Sequence, residues 1–444
     1  MSGIVVRGGR LITPDGERNA DLSIEDGRIA AIAEELPGAE TEIDARGLVV
    51  LPGVIDVHLH FNEPGRADWE GAATGSRALA AGGGTVFFDM PLNSTPCTVN
   101  GREVDHKREA LEAASIADFG LWGGLVPGSV PEMAEMAAKG VVGFKAFMCD
   151  SGLPEFPRAD DSTLLDGLRE AARLDLPVAV HAESDEMVRQ LAQQTTARTA
   201  RAFLDSRPVA AEVEAIERAV QLAADAHAKL HIVHVSSGRG VAAALAGRAR
   251  GVDVSIETCP HYLFFVDDDL ERLGTVAKCA PPLRAAAEQE ALWEALEAGH
   301  VDIVASDHSP TLPALKAGDV FAAWGGIAGV QSTLPVLLSA GCHVRGLPLT
   351  RLVSLLAAEP ATRFRIARKG RLAVGGDADL AIVDLDERHA LRVSDLHQRH
   401  KITPYLKATF RGRVRRTLRR GDTIFLDGRI TNQEKGRLVR PNAT

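Results

Sequence analysis

Between about residues 50 and 310, short apolar runs rich in Val, Ile and Phe alternate with longer segments rich in Ala, Leu, Glu and Arg. The runs read as strands and the longer segments as helices, a rhythm that belongs to a parallel sheet with helical crossovers. The strand candidates are GLVVLPGVIDVHLH, TVFFDM, FGLWGGL, VVGFKAFM, LPVAVHAE, LHIVHVSS, VDVSIETCPHY and VDIVASDHS. Eight such strands over about 260 residues predict an α/β fold, a closed (β/α)8 or TIM barrel, with its functional groups at the C-terminal ends of the strands. The competing architecture is an open doubly wound sheet, but no GxGxxG follows the first strand.

The two ends of the chain have a different texture. IVVRGGRLITPDGERNADLSIEDGRIAAIA at the start, and RLAVGGDADLAIVDLDE and RVRRTLRRGDTIFLDGRI near the end, carry short alternating strands joined by turn pairs such as DG and GG. Both ends predict one small β-sandwich built from the two termini, with residues 1–51 and 366–444 flanking a barrel over 52–365. The basic run RGRVRRTLRR lacks interleaved aromatics, so a solvated strand face is the expectation rather than a nucleic-acid patch.

At 444 residues the chain is too long for one small core, and its net charge of -10 argues against general affinity for nucleic acid or an anionic membrane. The start, MSGIVVRGGRLITPDG, lacks a basic segment followed by a long apolar run, and no stretch of about 18 apolar residues occurs, so a cytoplasmic location is expected. Cys97, Cys149, Cys259, Cys279 and Cys342 are odd in number and contain no CxxC pair, which predicts reduced thiols.

His58 and His60 end the first apolar run, and side chains two apart on a strand share a face. An HxH pair alone is more often structural than a metal site. Other strand ends, however, contribute His181, His234 and Asp307, and Lys145 interrupts VVGFKAFM. Barrel geometry aims all six at one mouth. Imidazoles with one carboxylate suit zinc and similar divalent ions. A protonated Lys145 between two such ions would be repelled, whereas its neutral amine can add CO2 and become an anionic carbamate, N6-carboxylysine, that bridges them.

The ordered set HLHFNEPG, FFDMPLNS, GFKAFM, VHAE, HVSS, ETCPHY, SDHSP and WGGIAG resembles the cyclic amidohydrolases over nearly the whole chain. That resemblance implies a binuclear centre with His58, His60 and Asp307 at one metal, His181 and His234 at the other, and carbamylated Lys145 between. It further implies hydrolytic opening of a cyclic amide with Asp307 carrying the proton, zinc or else cobalt or manganese as the metal, a small-molecule substrate, and a homotetramer. Within the family, dihydroorotases carry Arg two residues after the second His, where this chain has Asn62. Hydantoinases and dihydropyrimidinases typically place Tyr five residues past the bridging Lys, where it has Asp150. The NEPGR and MPLNS segments resemble the branch that opens a hydantoin ring bearing a neutral ureido tail, whose needs an amide side chain can meet.

Expected substrate contacts are Asn62, Asn93 in MPLNS, and backbone groups at Cys279 and Gly325. Each has a plainer reading, a packed thiol for Cys279 and turn residues for Asn93 and Gly325. Arg66 is expected to pair with Glu63 or Asp68. His231 and His308 are expected to face away from the mouth, and His261 to support or pack beside it. His106, His227, His300, His343, His389, His397 and His400 lie outside the strand ends. Loss of metal ligands would mark a non-enzymatic scaffold, and all six are present.

Overall fold

The computed structural model describes residues 3–431 and 434–442. Eight parallel strands follow one another in chain order around a single sheet: Val54–Leu59, Gly84–Asp89, Asp118–Gly124, Gly143–Phe147, Val178–His181, Leu230–Ile232, Val254–Thr258 and Ile303–Val304. The last is only two residues long, so closure against the first needs additional bonds. A parallel bridge joins Leu59 to His308, and the His60 N–H donates to the His308 carbonyl at 2.8 Å. The buried Asp56 carboxylate also accepts from the Ser306 N–H at 3.2 Å. Burial pushes the Asp56 carboxyl up to about 6.

Local chemistry starts the helices that wrap this barrel. Asn100, Asp160 and Ser237 cap Gly101–Ala114, Asp161–Arg173 and Gly238–Ala249 by accepting from backbone N–H groups two or three residues into each helix. Asp161–Arg173 then buries Leu164, Leu168 and Ala171, one stripe at helical spacing.

The long first run divides at Gly53. Val49–Pro52 pairs antiparallel with Leu380–Ala390, whereas Val54–Leu59 pairs parallel with Gly84–Asp89. The crossing is so close that a Cβ on Gly53 would lie 2.3 Å from Thr85 Oγ1, which excludes any larger residue there.

Val49–Pro52 belongs to a second, nine-stranded sheet. Its order runs Arg429–Ile430, Asp422–Leu426, Thr409–Arg419, Leu380–Ala390, Val49–Pro52, Ile4–Thr13, Gly16–Glu25, Arg28–Ala33, with Thr41–Asp44 also paired to Ile4–Thr13. Val6, Leu22, Ile43, Leu380, Ile382 and Leu418 share one core, so both ends of the chain complete the same module.

The basic run is not a freely solvated face. Arg413 and Arg415 both grip Glu387, Arg420 pairs with Asp118, and the wholly buried Arg419 donates to the Ile116 carbonyl at 2.6 Å. Lys369 lies beside this contact, its Nζ at 2.8 Å from Asp118, 3.0 Å from Asp377 and 2.7 Å from Asp379. Because Asp118 opens the third barrel strand, this buried cluster ties the terminal sheet to the barrel floor. Arg420 and Arg368 still face Asp118 and Asp377 in Lys369→Ala, but the buried Asp379 loses its cationic partner, and a loss of about 3–5 kcal/mol is expected. Urea unfolding checks this, and a loss under about 1 kcal/mol would refute the role of the cluster.

Candidate active site

The barrel brings the strand-end residues to one mouth. Asp307 Oδ1 lies 3.3 Å from His58 Nε2 and 3.6 Å from His60 Nε2. Ring centroids of His58 and His234 are 5.4 Å apart, and those of His181 and His234 are 4.6 Å apart. Lys145 Nζ sits 5.2 Å from the centre of the Phe147 ring, which stacks on His181 at 4.5 Å. All six predicted groups are buried.

Two of them depend on unusual backbone. His234 and Asp307 lie just past their strands with φ of 42° and 43°, in the left-handed region. Such a conformation costs about 1–3 kcal/mol for a non-glycine residue and persists where its surroundings enforce it. Here it turns side chains that would leave the barrel back over its mouth.

Two carboxylates hold the histidines. Glu257 accepts from His58 Nδ1 at 2.7 Å and His231 Nε2 at 3.0 Å, so the His58 Nε2 is the nitrogen left facing Asp307. Glu183 bonds His181 Nε2 at 2.8 Å and is itself paired with Arg207, which leaves Nδ1 as the free ring nitrogen of His181. Burial favours the neutral acids, yet Arg207 and His181 hold Glu183 down at about 2, and His58 and His231 do the same for Glu257. Burial also lowers His60, His181 and His234, keeping their imidazoles neutral. It brings Lys145 down to about 8, a value at which a reactive neutral amine is well populated near physiological pH.

These residues fit a metal. His58, His60 and Asp307 each offer a ligand atom, and the three atoms lie within 4.8 Å of one another. His60 Nδ1, His234 Nδ1 and Lys145 Nζ are buried without a hydrogen-bond partner among the described residues. Buried polar atoms left unpaired are costly, and divalent ions held by imidazole nitrogens and a carbamate on Lys145 would satisfy such groups. Cys149, His181 and Glu183 also cluster. There Glu183 is already spent on Arg207, whose positive charge disfavours a cation.

The mouth opens into a cavity of about 680 Å³ walled in part by Asn93, Asp150, Arg207, Lys278, Trp324 and Gly325. Of the predicted substrate contacts, Asn93 and Gly325 reach this wall. Asn62 does not: it is buried, with Nδ2 donating to the Pro310 carbonyl at 3.1 Å. Cys279, expected to act through its backbone, has its side chain buried, and its chain neighbours Lys278 and Ala280 line the cavity. Arg66 bonds Glu155 at 2.7 Å and the Asn93 carbonyl at 3.3 Å, tying loops together instead of pairing with Glu63 or Asp68.

His231 and His308 keep out of the mouth. His231 stacks beside Trp122, and His308 Nδ1 accepts from the Gly329 N–H at 3.1 Å. Both nitrogens of buried His261 lack a partner among the described residues. Glu183, Glu257 and Arg207 are what sequence reasoning missed. The two acids had a visible signal, a carboxylate inside the apolar strand ends VHAE and SIETCP. Arg207 lies on a connecting segment and had none.

A family model described as the amidohydrolase family matches residues 49–424. The chain belongs to the amidohydrolase family. It is 62% identical to a protein named allantoinase from Solibacter usitatus (strain Ellin6076), covering 100% of this chain and 98% of that one. It is 55% identical to an allantoinase from Rubrobacter xylanophilus, covering 99% and 97%. Among solved structures, L-hydantoinase (dihydropyrimidinase) from Arthrobacter aurescens superposes with a TM-score of 0.96 at 34% identity, covering 99% of this chain and 100% of that one. No described helix is long and apolar enough to cross a membrane.

In this amidohydrolase, Glu257→Gln keeps the shape of the side chain but removes the charge that orients His58. Metal affinity is expected to fall about 10- to 100-fold with the fold retained. Equilibrium dialysis against zinc and circular dichroism test this; undiminished affinity would show that Glu257 does not position the ligand.

Proposed function

We infer that this chain is an allantoinase, opening the hydantoin ring of allantoin hydrolytically to allantoate. The observation that carries the reading is 62% identity over the full chain to a protein of that name, against 34% to the hydantoinase. The hydantoinase part of that structure's name points to the same five-membered ring that allantoin carries.

His58, His60 and Asp307 would hold one divalent cation and His181 and His234 a second, with the Lys145 carbamate between them. When bound, such ions supply a lowered pKa for water and polarisation of the scissile carbonyl. Zinc suits the ligands, and cobalt or manganese also would. Asp307, beside His58 and His60, takes the proton of the attacking water and returns it to the ring nitrogen as the C–N bond breaks. Glu257 and Glu183 keep His58 and His181 oriented while this proton moves. Asn62 in place of a guanidinium removes a bidentate partner for a substrate carboxylate, which supports a neutral substrate over dihydroorotate. Five unpaired cysteines support a reducing, cytoplasmic setting, and the family resemblance supports a homotetramer.

Racemic allantoin, hydantoin and dihydroorotate should be compared on one preparation of known metal content. Allantoin is expected to be opened at least about tenfold more efficiently, with about two metals per chain. Failure on allantoin with metal present would overturn the assignment. Lys145→Ala is expected to lose both metal and activity, with partial recovery in short carboxylic acids; full activity in the variant excludes the carbamate. Asp307→Asn should retain its fold and lose about 10²- to 10⁴-fold in kcat, and an unchanged rate would remove Asp307 from proton transfer.

A further inference from the structure

Two lysine amines beside the cavity have peptide oxygens as partners and no carboxylate within salt-bridge distance among the described residues. Lys278 Nζ donates to the carbonyls of Phe321 at 3.2 Å and Ala323 at 2.5 Å. Lys316 Nζ donates to those of Thr275 at 3.3 Å, Trp324 at 3.0 Å and Gly326 at 2.5 Å. Four of these five oxygens belong to the 321–326 loop, which forms one wall of the cavity.

The clamp fixes the peptides on either side of Gly325. In a trans peptide the C=O and the N–H of the following residue point in opposite directions. The cis peptides of the described chain lie elsewhere. The Trp324 carbonyl is drawn to Lys316, so the Gly325 N–H points away from Lys316. The Gly326 N–H donates to the Lys278 carbonyl at 2.8 Å, so the Gly325 carbonyl points away from that contact. Neither Gly325 group has a hydrogen-bond partner among the described residues. The space around it is open, the nearest atom to a Cβ built there being Lys278 Cε at 3.9 Å. Gly325 lines the cavity, so its N–H and C=O are a backbone donor and acceptor that the clamp leaves free on that wall.

We propose that Lys316 and Lys278 are positioning residues for ring recognition: by holding the outer carbonyls of the 321–326 loop, they present the Gly325 N–H and C=O as a pair for the adjoining C=O and N–H of a cyclic imide. This rests on the hydantoin-opening reading and extends it to the means of holding the ring. The lysines need not touch the substrate. They act through the orientation of two peptide planes, which water or a methionine side chain cannot fix in the same way.

The test uses Lys316→Met, Lys278→Met and, should the first fail to fold, Lys316→Gln, which keeps a donor too short to span three carbonyls. KM and kcat for allantoin are measured on metal-loaded protein, and binding of hydantoin and 3-methylhydantoin is measured by calorimetry. KM is expected to rise about tenfold, the weight of one or two hydrogen bonds, with kcat within about threefold and metal content unchanged. The wild-type preference for hydantoin over its N-methyl derivative should collapse in the variants. An unchanged KM, or equal weakening of both hydantoins, overturns the proposal, since general loosening of the wall would not single out the ring N–H. If the wild type itself ignores allantoin, the functional reading falls, and the two hydantoins still decide the clamp.

Discussion

Closure of the barrel between its first and last strands is the constraint on which the rest depends. The last strand offers two residues, so the joint relies on the His60 N–H, the Leu59–His308 bridge and the buried Asp56 carboxylate on Ser306. That joint places Asp307 within 3.6 Å of both His58 and His60, although some 250 residues separate them. Closing a loop of that length carries an entropy that grows only slowly with length, and the intervening strands distribute it over many pairings. A carboxylate that follows the last strand could not otherwise be held against two histidines from the opposite end of the sheet.

Burial then decides the chemistry at the mouth. Desolvation lowers His60, His181 and His234, which favours neutral imidazoles, and brings Lys145 down to about 8, so that its neutral amine is within reach near physiological pH. The same burial would neutralise Glu183 and Glu257, and Arg207, His181, His58 and His231 counter it. Glu183 and Glu257 therefore sit behind His181 and His58, where they fix ring orientation, while the Asp307 carboxylate faces the mouth itself. Left-handed backbone at His234 and Asp307 adds strain that the surrounding packing sustains.

Much of the barrel was legible because parallel strands buried on both faces read as continuous apolar runs. Polar interruptions at their ends then stood out, and His58, His60, Lys145, His181, His234 and Asp307 were visible as exceptions. The division at Gly53 was not legible, since both halves of that run are equally apolar and only their partners differ. Asn62 looked like a wall residue from its motif, but a left-handed turn directs its amide to Pro310. The arginines at 411–420 looked solvated because their partners lie on other strands, Glu387 on the neighbouring strand of the terminal sheet and Asp118 in the barrel.

The sequence by itself determined the strand rhythm, the module built from two chain ends and the identities of the groups at the mouth, because period and composition are local properties. Tertiary structure alone decided which carboxylate orients which histidine, which ring nitrogen is left free, and which peptide groups face the cavity. Those depend on distances across the barrel and on the directions of single bonds, which no spacing along a chain encodes.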